Sequence, residues 1–401
     1  MHDYDDLTRR LADLVVGFGA NVKRGQLVGV TSFLGKEALT REIARAAYER
    51  GASFVDVLYF DQLLKRERLL GGDPETFSYI PPWMVDRLRY LSDEHAARIS
   101  LSGPQAPHAL DDVPADRSGA DLLPFLPEVG HVVNLHTTNW SAVPAPTQGW
   151  AELVFPDHEP AEAFDRLWGA IARVCRLDEP DPVAAWETRM GELNRGAATL
   201  SARRFDAIHL HGPGTDLTLG LFQSSVWEAA EFVTVDGIVH FPNLPTEEVF
   251  TTPDPLRVDG HVSATMPLEL YGTIIRGLRV EFAGGRVTGI EADENAETLR
   301  TAVAKDEGAG RLGELALVDG SGRIGPLQTV FFDTLLDENA ASHIALGNGF
   351  SYQVADEAER QRVNQSQIHI DFMIGSPELD VDGVTAAGDR VPVLRQGAWQ
   401  I

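Results

Sequence analysis

The sequence reads Gln367-Ile368-His369-Ile370-Asp371-Phe372-Met373-Ile374-Gly375 near its carboxyl-terminal end, where apolar residues alternate with polar ones. This alternation is typical of a β-strand, in which successive side chains point to opposite faces. His369 and Asp371 therefore lie on one face of the predicted strand, where an imidazole and a carboxylate can bind the same cation. The alternative is a strand with an ordinary polar face, because a motif as short as His-x-Asp often occurs by chance.

The half of the chain around this strand is predicted to be rich in β structure. Short strand-like segments follow one another from residue 207 to residue 292, and turn sequences such as Gly212-Pro213-Gly214-Thr215-Asp216 join them. The first half alternates instead between helical and strand-like segments, which requires crossover connections and a mostly parallel sheet. We therefore expect an α/β amino-terminal domain with a mostly parallel sheet and a β-rich α+β carboxyl-terminal domain.

The boundary between the two domains is expected where prolines and acidic residues interrupt the periodicity. These residues are Leu177-Asp178-Glu179-Pro180-Asp181-Pro182, and residues 184–200 then have the pattern of a linking helix. We accordingly assign residues 1–183 to the α/β domain and residues 184–401 to the β-rich domain.

Individual elements of the first half follow from the spacing of their apolar residues. The predicted helices span residues 7–18, 37–50, 82–93 and 161–176, and the predicted strands span residues 26–31, 54–60, 97–101, 131–136 and 152–155. His131 and His136 lie within one of these strand-like runs, where satisfied polar residues at the strand end are the simplest interpretation.

Composition excludes several classes of protein. The formal net charge is −26, which argues against a nucleic-acid partner because phosphate binding needs clustered Lys and Arg. No apolar run approaches the roughly 20 residues that cross a bilayer, and the first residues are acidic where a secretory signal is basic. We therefore expect a cytoplasmic protein without membrane contacts.

Cysteine is nearly absent, since Cys175 is the only one in 401 residues. One cysteine can form neither an internal disulfide nor a zinc–thiolate cluster. Any metal site must therefore use histidine and carboxylate ligands.

Several carboxylates of the second half are unusual for their surroundings. Glu247 and Glu248 are adjacent, and like charges in a concave site require a cation. Glu314 interrupts an apolar strand, where an unpaired carboxylate is costly. Glu338 and His343 lie close together in a segment that begins as a helical turn. Taken singly, each of these residues is more simply explained as part of the structure.

A second pair of histidines, His209 and His211, has the same spacing as His369 and Asp371. No acidic residue is adjacent to this pair, and short motifs often match by chance. A metal or substrate role for the two histidines is therefore a minor hypothesis.

Taken together and in order, the motifs of the chain resemble those of the M29 metallopeptidases, the thermophilic aminopeptidase T family. The resemblance spans essentially the whole chain, including the change from α/β to β-rich structure. It is carried by five blocks, Gly212-Pro213-Gly214-Thr215-Asp216-Leu217, Pro245-Thr246-Glu247-Glu248-Val249-Phe250-Thr251, Leu312-Gly313-Glu314, His343-Ile344-Ala345-Leu346-Gly347 and His369-Ile370-Asp371-Phe372-Met373-Ile374-Gly375.

The resemblance implies a subunit of a homodimer that removes amino-terminal residues from short peptides with a water activated by two metal ions. It implies six metal ligands, which are Glu248, Glu314, Glu338, His343, His369 and Asp371. Four carboxylates offset much of the charge of two divalent cations, and two neutral imidazoles add none. Such a set suits two divalent metal ions, either Zn, Co, Mn or Mg.

The resemblance also suggests catalytic roles. We expect Glu314 to bridge the two metal ions, and Glu247 is a candidate general base or acid by adjacency to a ligand. The family has a tyrosine seven residues after the position of His343, where this chain has Phe350. Tyr352 faces the same way as Phe350 if the segment is extended, so its hydroxyl is the candidate donor to the developing oxyanion.

Two alternative functions remain open on the sequence. The first is a mononuclear Fe(II) ring-cleaving dioxygenase of the dihydroxypyridine type, with His343, His369 and Asp371 as the iron ligands. This alternative leaves the three glutamates among the six residues without a cation. The second is a non-catalytic metal-binding homologue that lost the hydroxyl at position 350.

Overall fold

The computed structural model describes residues 2–401 except 115, 116, 118, 119, 122, 125, 127 and 230. Its α-helices span Tyr4–Leu14, Glu37–Glu49, Gln62–Gly71, Pro82–Asp93, Glu128–Leu135, Gln148–Val154, Pro160–Val174, Pro182–Arg203, Ala296–Val303, Thr334–Glu338 and Glu357–Arg360. In this described part of the chain, no helix combines the length and the apolar character needed to cross a membrane.

The strands divide between the two halves as the sequence predicts. Four lie in the first half, β1 (Leu27–Phe33), β2 (Phe54–Phe60), β3 (Ala97–Ser102) and β4 (Asn139–Pro144). The others are β5 (Ala207–Gly212), β6 (Thr215–Leu221), β7 (Glu228–Ala229), β8 (Phe232–Val233), β9 (Val239–His240), β10 (Glu248–Thr251), β11 (Pro253–Ser263), β12 (Leu268–Leu270), β13 (Thr273–Ile275), β14 (Arg279–Ala283), β15 (Arg286–Glu291), β16 (Leu312–Val318), β17 (His343–Gly347), β18 (His369–Met373), β19 (Asp380–Val384), β20 (Arg390–Arg395) and β21 (Ala398–Trp399).

The amino-terminal sheet has the order β2-β1-β3-β4, and all of its pairs are parallel. Parallel neighbours need long crossovers, and the helices between these strands provide them. The helix Glu37–Glu49 illustrates the pattern, because it buries Leu39 and Ile43 and is followed by Gly51 in the left-handed region, at φ +85. The prediction of an α/β domain with a parallel sheet is confirmed.

Two predicted strands of this half are wrong. Residues 131–135 of the first run belong to the helix Glu128–Leu135, which buries Val132. The run 152–155 belongs to the helix Gln148–Val154, whose first turn is capped by Thr147 accepting a hydrogen bond from the Trp150 N–H at 3.2 Å. Short apolar runs fit a helix and a strand equally well, and tertiary packing decides between them.

Two antiparallel sheets dominate the second half, which confirms the β-rich prediction. An eight-stranded sheet has the order β15-β14-β11-β6-β5-β19-β20-β21. A five-stranded sheet, called the ligand sheet below, has the order β18-β17-β16-β10-β7. Its strand β16 is buried along its whole length, so any polar group on it must find its partners inside the protein.

Helix packing and backbone hydrogen bonds connect the two halves in addition to the covalent linker. The helix Pro182–Arg203 covers the predicted linking segment and contacts β7 and β10 of the ligand sheet. The loop before β10 also hydrogen-bonds to β4, since the Ala142 N–H donates to the Pro242 carbonyl at 2.6 Å and the Leu244 N–H donates to the Ala142 carbonyl at 3.0 Å. The division at residue 183 remains a prediction.

Candidate metal centre

The ligand sheet and one short helix supply all six side chains that the sequence proposes as metal ligands. Ala345 on β17 pairs with Glu314 on β16 and with Asp371 on β18. The two carboxylates therefore lie at the same level of the sheet, on the strands that flank β17. The short helix Thr334–Glu338 ends at the residue that completes the set. The strand positions are Glu248 on β10, Glu314 on β16, His343 on β17, and His369 and Asp371 on β18.

The structure brings these six side chains together in three overlapping groups. Within each group the ligand atoms lie within 4.8 Å of one another. The groups are Glu248 with Glu314 and His343, Glu314 with His369 and Asp371, and Glu338 with His343 and Asp371. Each of Glu314, His343 and Asp371 belongs to two groups, so the cluster is continuous.

The cluster carries an excess of buried acidic groups. Burial raises the pKa of Glu338 well above its usual value, and the nearby charges of Asp371 and Glu248 raise it further. Burial also raises the pKa of Glu314, although its hydrogen bond to His369 opposes this. Carboxylates held together away from water are stabilised in their charged form by a cation.

The histidines respond to the same negative charge. Burial alone would lower the pKa of His343, but its hydrogen bond to Glu248 and the charges of Glu248, Asp371 and Glu314 raise it to about 10. His369 likewise has its pKa raised well above the usual value, because Asp371 and Glu314 outweigh the effect of burial. Each imidazole is therefore in a strongly electronegative site.

Both histidines are oriented by backbone carbonyl groups. His343 Nδ1 lies 3.2 Å from the Ala341 carbonyl oxygen, and His369 Nδ1 lies 2.8 Å from the Asn348 carbonyl oxygen. With Nδ1 facing a carbonyl oxygen, Nε2 is the nitrogen available to a cation, and it lies 3.1 Å from Glu248 in His343 and 3.0 Å from Glu314 in His369. This arrangement of a carbonyl behind a histidine is typical of metal ligands.

The remaining polar atoms of the cluster also fit a cation. Asp371 Oδ1 is buried and lies 3.5 Å from His369 Nε2, but it has no hydrogen-bond partner among the residues that the structure describes. Glu338 Oε1 accepts a hydrogen bond from Asn243 Nδ2 at 3.1 Å, which orients this carboxylate. Hard oxygen ligands combined with two imidazoles suit divalent cations such as zinc, cobalt, manganese or magnesium.

The cluster lines a cavity of about 230 Å³, and Phe350 and Tyr352 lie in its wall. Tyr352 belongs to a 3₁₀ turn, Ser351–Gln353, so the extended segment on which the shared orientation of Tyr352 and Phe350 depends is not present. Its ring nevertheless lies beside that of Phe350, with centroids 5.6 Å apart. The Tyr352 hydroxyl is buried without a hydrogen-bond partner in the described structure. Burial, followed by the charge of Glu228, raises its pKa well above the usual value, so it remains a donor.

Glu247 is not part of the cavity, so the structure does not support its expected role as a general base. Its side chain is fully buried and is held by two arginines. Arg176 donates to Oε1 at 3.1 Å through both terminal nitrogens, and Arg189 Nε donates to Oε2 at 2.6 Å. Neighbouring residues of an extended chain point to opposite sides, and this rule already argues against both glutamates facing one site.

The arginine pair behind the site was not anticipated from the sequence. Arg176 ends the first half of the chain and Arg189 lies on the linking helix, so no local pattern connects either residue to Glu247. Asn339 forms a second connection, because its Oδ1 accepts a hydrogen bond from the Glu247 N–H at 2.6 Å. These contacts fix the backbone immediately before Glu248.

His209 and His211 lie on the eight-stranded sheet, away from the cavity. His209 Nε2 lies 2.9 Å from Asp216 Oδ1, and its Nδ1 lies 3.0 Å from an Arg390 nitrogen. Both ring nitrogens of His209 are therefore engaged by protein groups. The acidic partner that the sequence did not indicate is Asp216, which the turn after β5 brings opposite the pair.

Comparison with known proteins gives consistent similarities over the full length. Residues 4–399 match the family model described as thermophilic metalloprotease (M29). The chain is 40% identical to aminopeptidase T of Thermus aquaticus over all of both chains, and 35% identical to aminopeptidase PepS of Streptococcus thermophilus over all of this chain and 99% of that protein. It superposes on the structure of wild-type AmpT from Thermus thermophilus with a TM-score of 0.87 at 40% identity, covering 99% of this chain and 100% of that one.

Proposed function

The chain belongs to the thermophilic metalloprotease family M29 and is a metallo-aminopeptidase, a hydrolase. We propose that it uses two divalent metal ions to release amino-terminal residues from short peptides. The observation that carries the proposal is the convergence of six ligand side chains on one cavity, in three groups with atoms within 4.8 Å. Three ligand groups that share members suit two neighbouring ions better than one.

The imidazoles and the carboxylates of the cluster have different proposed roles in metal binding. With Nδ1 of His343 and His369 facing carbonyl groups, each ring offers one nitrogen and binds one ion. Only a carboxylate can bridge, Glu314 and Asp371 are the carboxylates that belong to two groups each, and of the two Glu314 lies on the strand that is buried along its whole length. We therefore assign the bridge to Glu314. Bound divalent ions supply Lewis-acid activation of a water nucleophile and of the peptide carbonyl.

Tyr352 is the chain's candidate donor to the oxyanion that develops on the peptide carbonyl. Tyr352 lines the ligand cavity, and its hydroxyl is buried with no hydrogen-bond partner among the described residues. A pre-oriented donor in a dry site stabilises developing negative charge strongly. Phe350, beside it, contributes only its apolar ring to the wall.

The dioxygenase hypothesis has less support than the hydrolase. The three glutamates of the cluster would remain without a cation around a single iron, and burial already raises the pKa of both Glu314 and Glu338. All relatives described above bear the name of an aminopeptidase or the acronym AmpT. Metal analysis combined with a hydrolysis assay distinguishes the hydrolase from a non-catalytic metal-binding protein.

Metal analysis combined with aminoacyl-anilide hydrolysis tests the proposed function. We expect two divalent ions per chain and hydrolysis that is lost on chelation and restored by zinc, cobalt or manganese. One iron per chain with oxygen uptake on a dihydroxylated ring would replace the proposal with the dioxygenase. Two ions per chain without hydrolysis of any anilide or peptide would leave a metal-binding protein.

We also propose that the protein acts as a homodimer in the cytoplasm, as the family resemblance implies. Light scattering coupled to size-exclusion chromatography tests the assembly, and we expect twice the 43.8 kDa of one chain. A single-chain mass at micromolar concentration would contradict the dimer.

A further inference from the structure

The wall of the ligand cavity continues from the ligands into an uninterrupted series of aromatic rings. The ring of Phe350 lies 5.2 Å from that of His369 and 5.7 Å from that of Phe250. Phe232 follows at 6.2 Å from Phe250, and Trp140 lies 6.5 Å from Phe232. This series is called the aromatic wall below, and it begins in direct contact with a ligand.

The aromatic wall encloses a part of the cavity without charged groups. Among the described residues that line the cavity, the ionisable side chains are the six ligands and Tyr352. The helix Glu128–Leu135 adds Val129 and Val133 to the lining, so the first half of the chain contributes further apolar surface. No lysine or arginine of the described chain reaches this surface.

A peptide cleaved at its first bond must place its amino-terminal side chain in this part of the cavity. The free amine and the carbonyl of the first residue both bind at the ligand cluster, and the side chain branches from the carbon between them. Apart from the ligands and Tyr352, the lining consists of the aromatic wall, further apolar residues and four uncharged polar residues, Asn243, Thr246, Asn348 and Ser366.

We propose that the aromatic wall binds the amino-terminal side chain of the substrate and selects peptides whose first residue is large and uncharged, such as leucine or phenylalanine; this inference rests on the proposed function. Burial of such a side chain against apolar surface is favourable, whereas a charged side chain would lose water without gaining a partner. The ligand carboxylates do not attract a lysine side chain, because two bound divalent ions offset their charge. We expect a preference of about 10- to 100-fold.

Aminoacyl-4-nitroanilides with one common leaving group test the selectivity of the metal-loaded protein. We expect kcat/KM for the leucine and phenylalanine substrates to exceed that for the lysine and glutamate substrates by at least about 10-fold. Equal values, or a faster lysine or glutamate substrate, would overturn the inference.

A charge introduced into the wall tests its position. Phe232→Glu should lower kcat/KM for the leucine substrate and raise the ratio of the lysine to the leucine value at least about 10-fold, because the new carboxylate pairs with the ammonium. Val235→Glu is the matched control, since Val235 follows in the same segment, is 62% exposed and does not line the cavity. An unchanged ratio in Phe232→Glu, with normal metal content and melting temperature, would exclude the wall as the binding surface.

A second variant and a binding measurement test the aromatic wall independently of Phe232→Glu. If Phe232→Glu does not fold, Phe232→Ala should lower kcat/KM for the phenylalanine substrate more than for the alanine substrate, and an equal reduction would contradict the inference. Calorimetric titration with leucine hydroxamate and lysine hydroxamate measures selectivity without turnover. Tighter binding of the leucine compound with no anilide hydrolysis would refute the proposed function and support the wall, whereas hydrolysis with equal affinities would do the reverse.

Discussion

Glu314 occupies a position where a carboxylate is costly unless it binds a cation. It lies on the fully buried strand β16, where burial raises its pKa against the opposing hydrogen bond to His369, and the charges of Asp371 and Glu248 raise it further. Groups that are costly for stability cluster at functional sites, which supports the proposed metal-binding role of Glu314. The sequence reveals this residue because a glutamate in an apolar strand has no local partner.

Replacing Glu314 with glutamine should lower the rate of anilide hydrolysis at least about 100-fold and reduce the metal content, because the amide cannot bridge two cations. The melting temperature of the chelated protein should not fall, since the change removes a buried negative charge. Anilide hydrolysis, metal analysis and thermal unfolding measure the three effects. Glu281→Gln, at an exposed site on β14, is the control. Full metal content with full activity would remove Glu314 from the site.

Tyr352→Phe should lower kcat by about 10²- to 10³-fold through the loss of one oxyanion donor. The variant should retain its metal and its melting temperature, because the lost hydroxyl has no hydrogen-bond partner in the described structure. Steady-state kinetics with leucine anilide measures the effect, and Tyr79→Phe, at a side chain 60% exposed, is the control. An unchanged kcat would exclude Tyr352 as a donor.

At the level of elements, short-range patterns predict some neighbours and miss others. Alternation along β18 predicts that His369 and Asp371 share a face, and in the structure ligand atoms of both residues lie within 4.8 Å of Glu314. The aromatic wall could not be predicted in this way, because Trp140 and Phe232 come from distant parts of the chain. The pattern of the run 131–136 predicts a strand where residues 131–135 are helical, because short apolar segments fit both structures.

The linking helix should stabilise the ligand sheet through Arg189. Its guanidinium is 8% exposed and pairs with the fully buried Glu247, so Arg189→Met should destabilise the protein by about 3 kcal/mol. Metal affinity should also fall by about 10-fold, because Glu247 holds the backbone next to Glu248. Urea unfolding and metal titration measure these changes.

The control for this variant is Arg166→Met, which removes a pair whose side chains are 49% and 51% exposed. An exposed pair contributes about 0–1 kcal/mol. If both variants unfold at the same urea concentration, the buried pair does not stabilise the sheet as described.

For the whole molecule, the metal ions should contribute to stability as well as to chemistry. The six proposed ligands come from four strands and one helix, so bound cations would connect elements that otherwise repel one another through their carboxylates. A ligand present at 1,000 times its dissociation constant stabilises the folded state by about 4 kcal/mol. Chelation should therefore lower the melting temperature by on the order of 5–10 °C.

Calorimetry before and after chelation measures this difference, and re-addition of zinc should reverse it. Glu314→Gln should show a smaller difference, because its metal content is already reduced. An identical melting temperature with and without metal would show that the ions do not connect these elements.

The arginine pair has a consequence for attempts to isolate a minimal enzyme. A fragment that starts at residue 184 would retain every proposed ligand but lose Arg176, half of the positive charge that neutralises Glu247. It would also lose β4, whose backbone groups receive the loop before β10. Arg189 would remain beside Glu247, but the loop before β10 would lose its backbone partners on β4, so the amino-terminal half acts as an intramolecular scaffold for the ligand sheet.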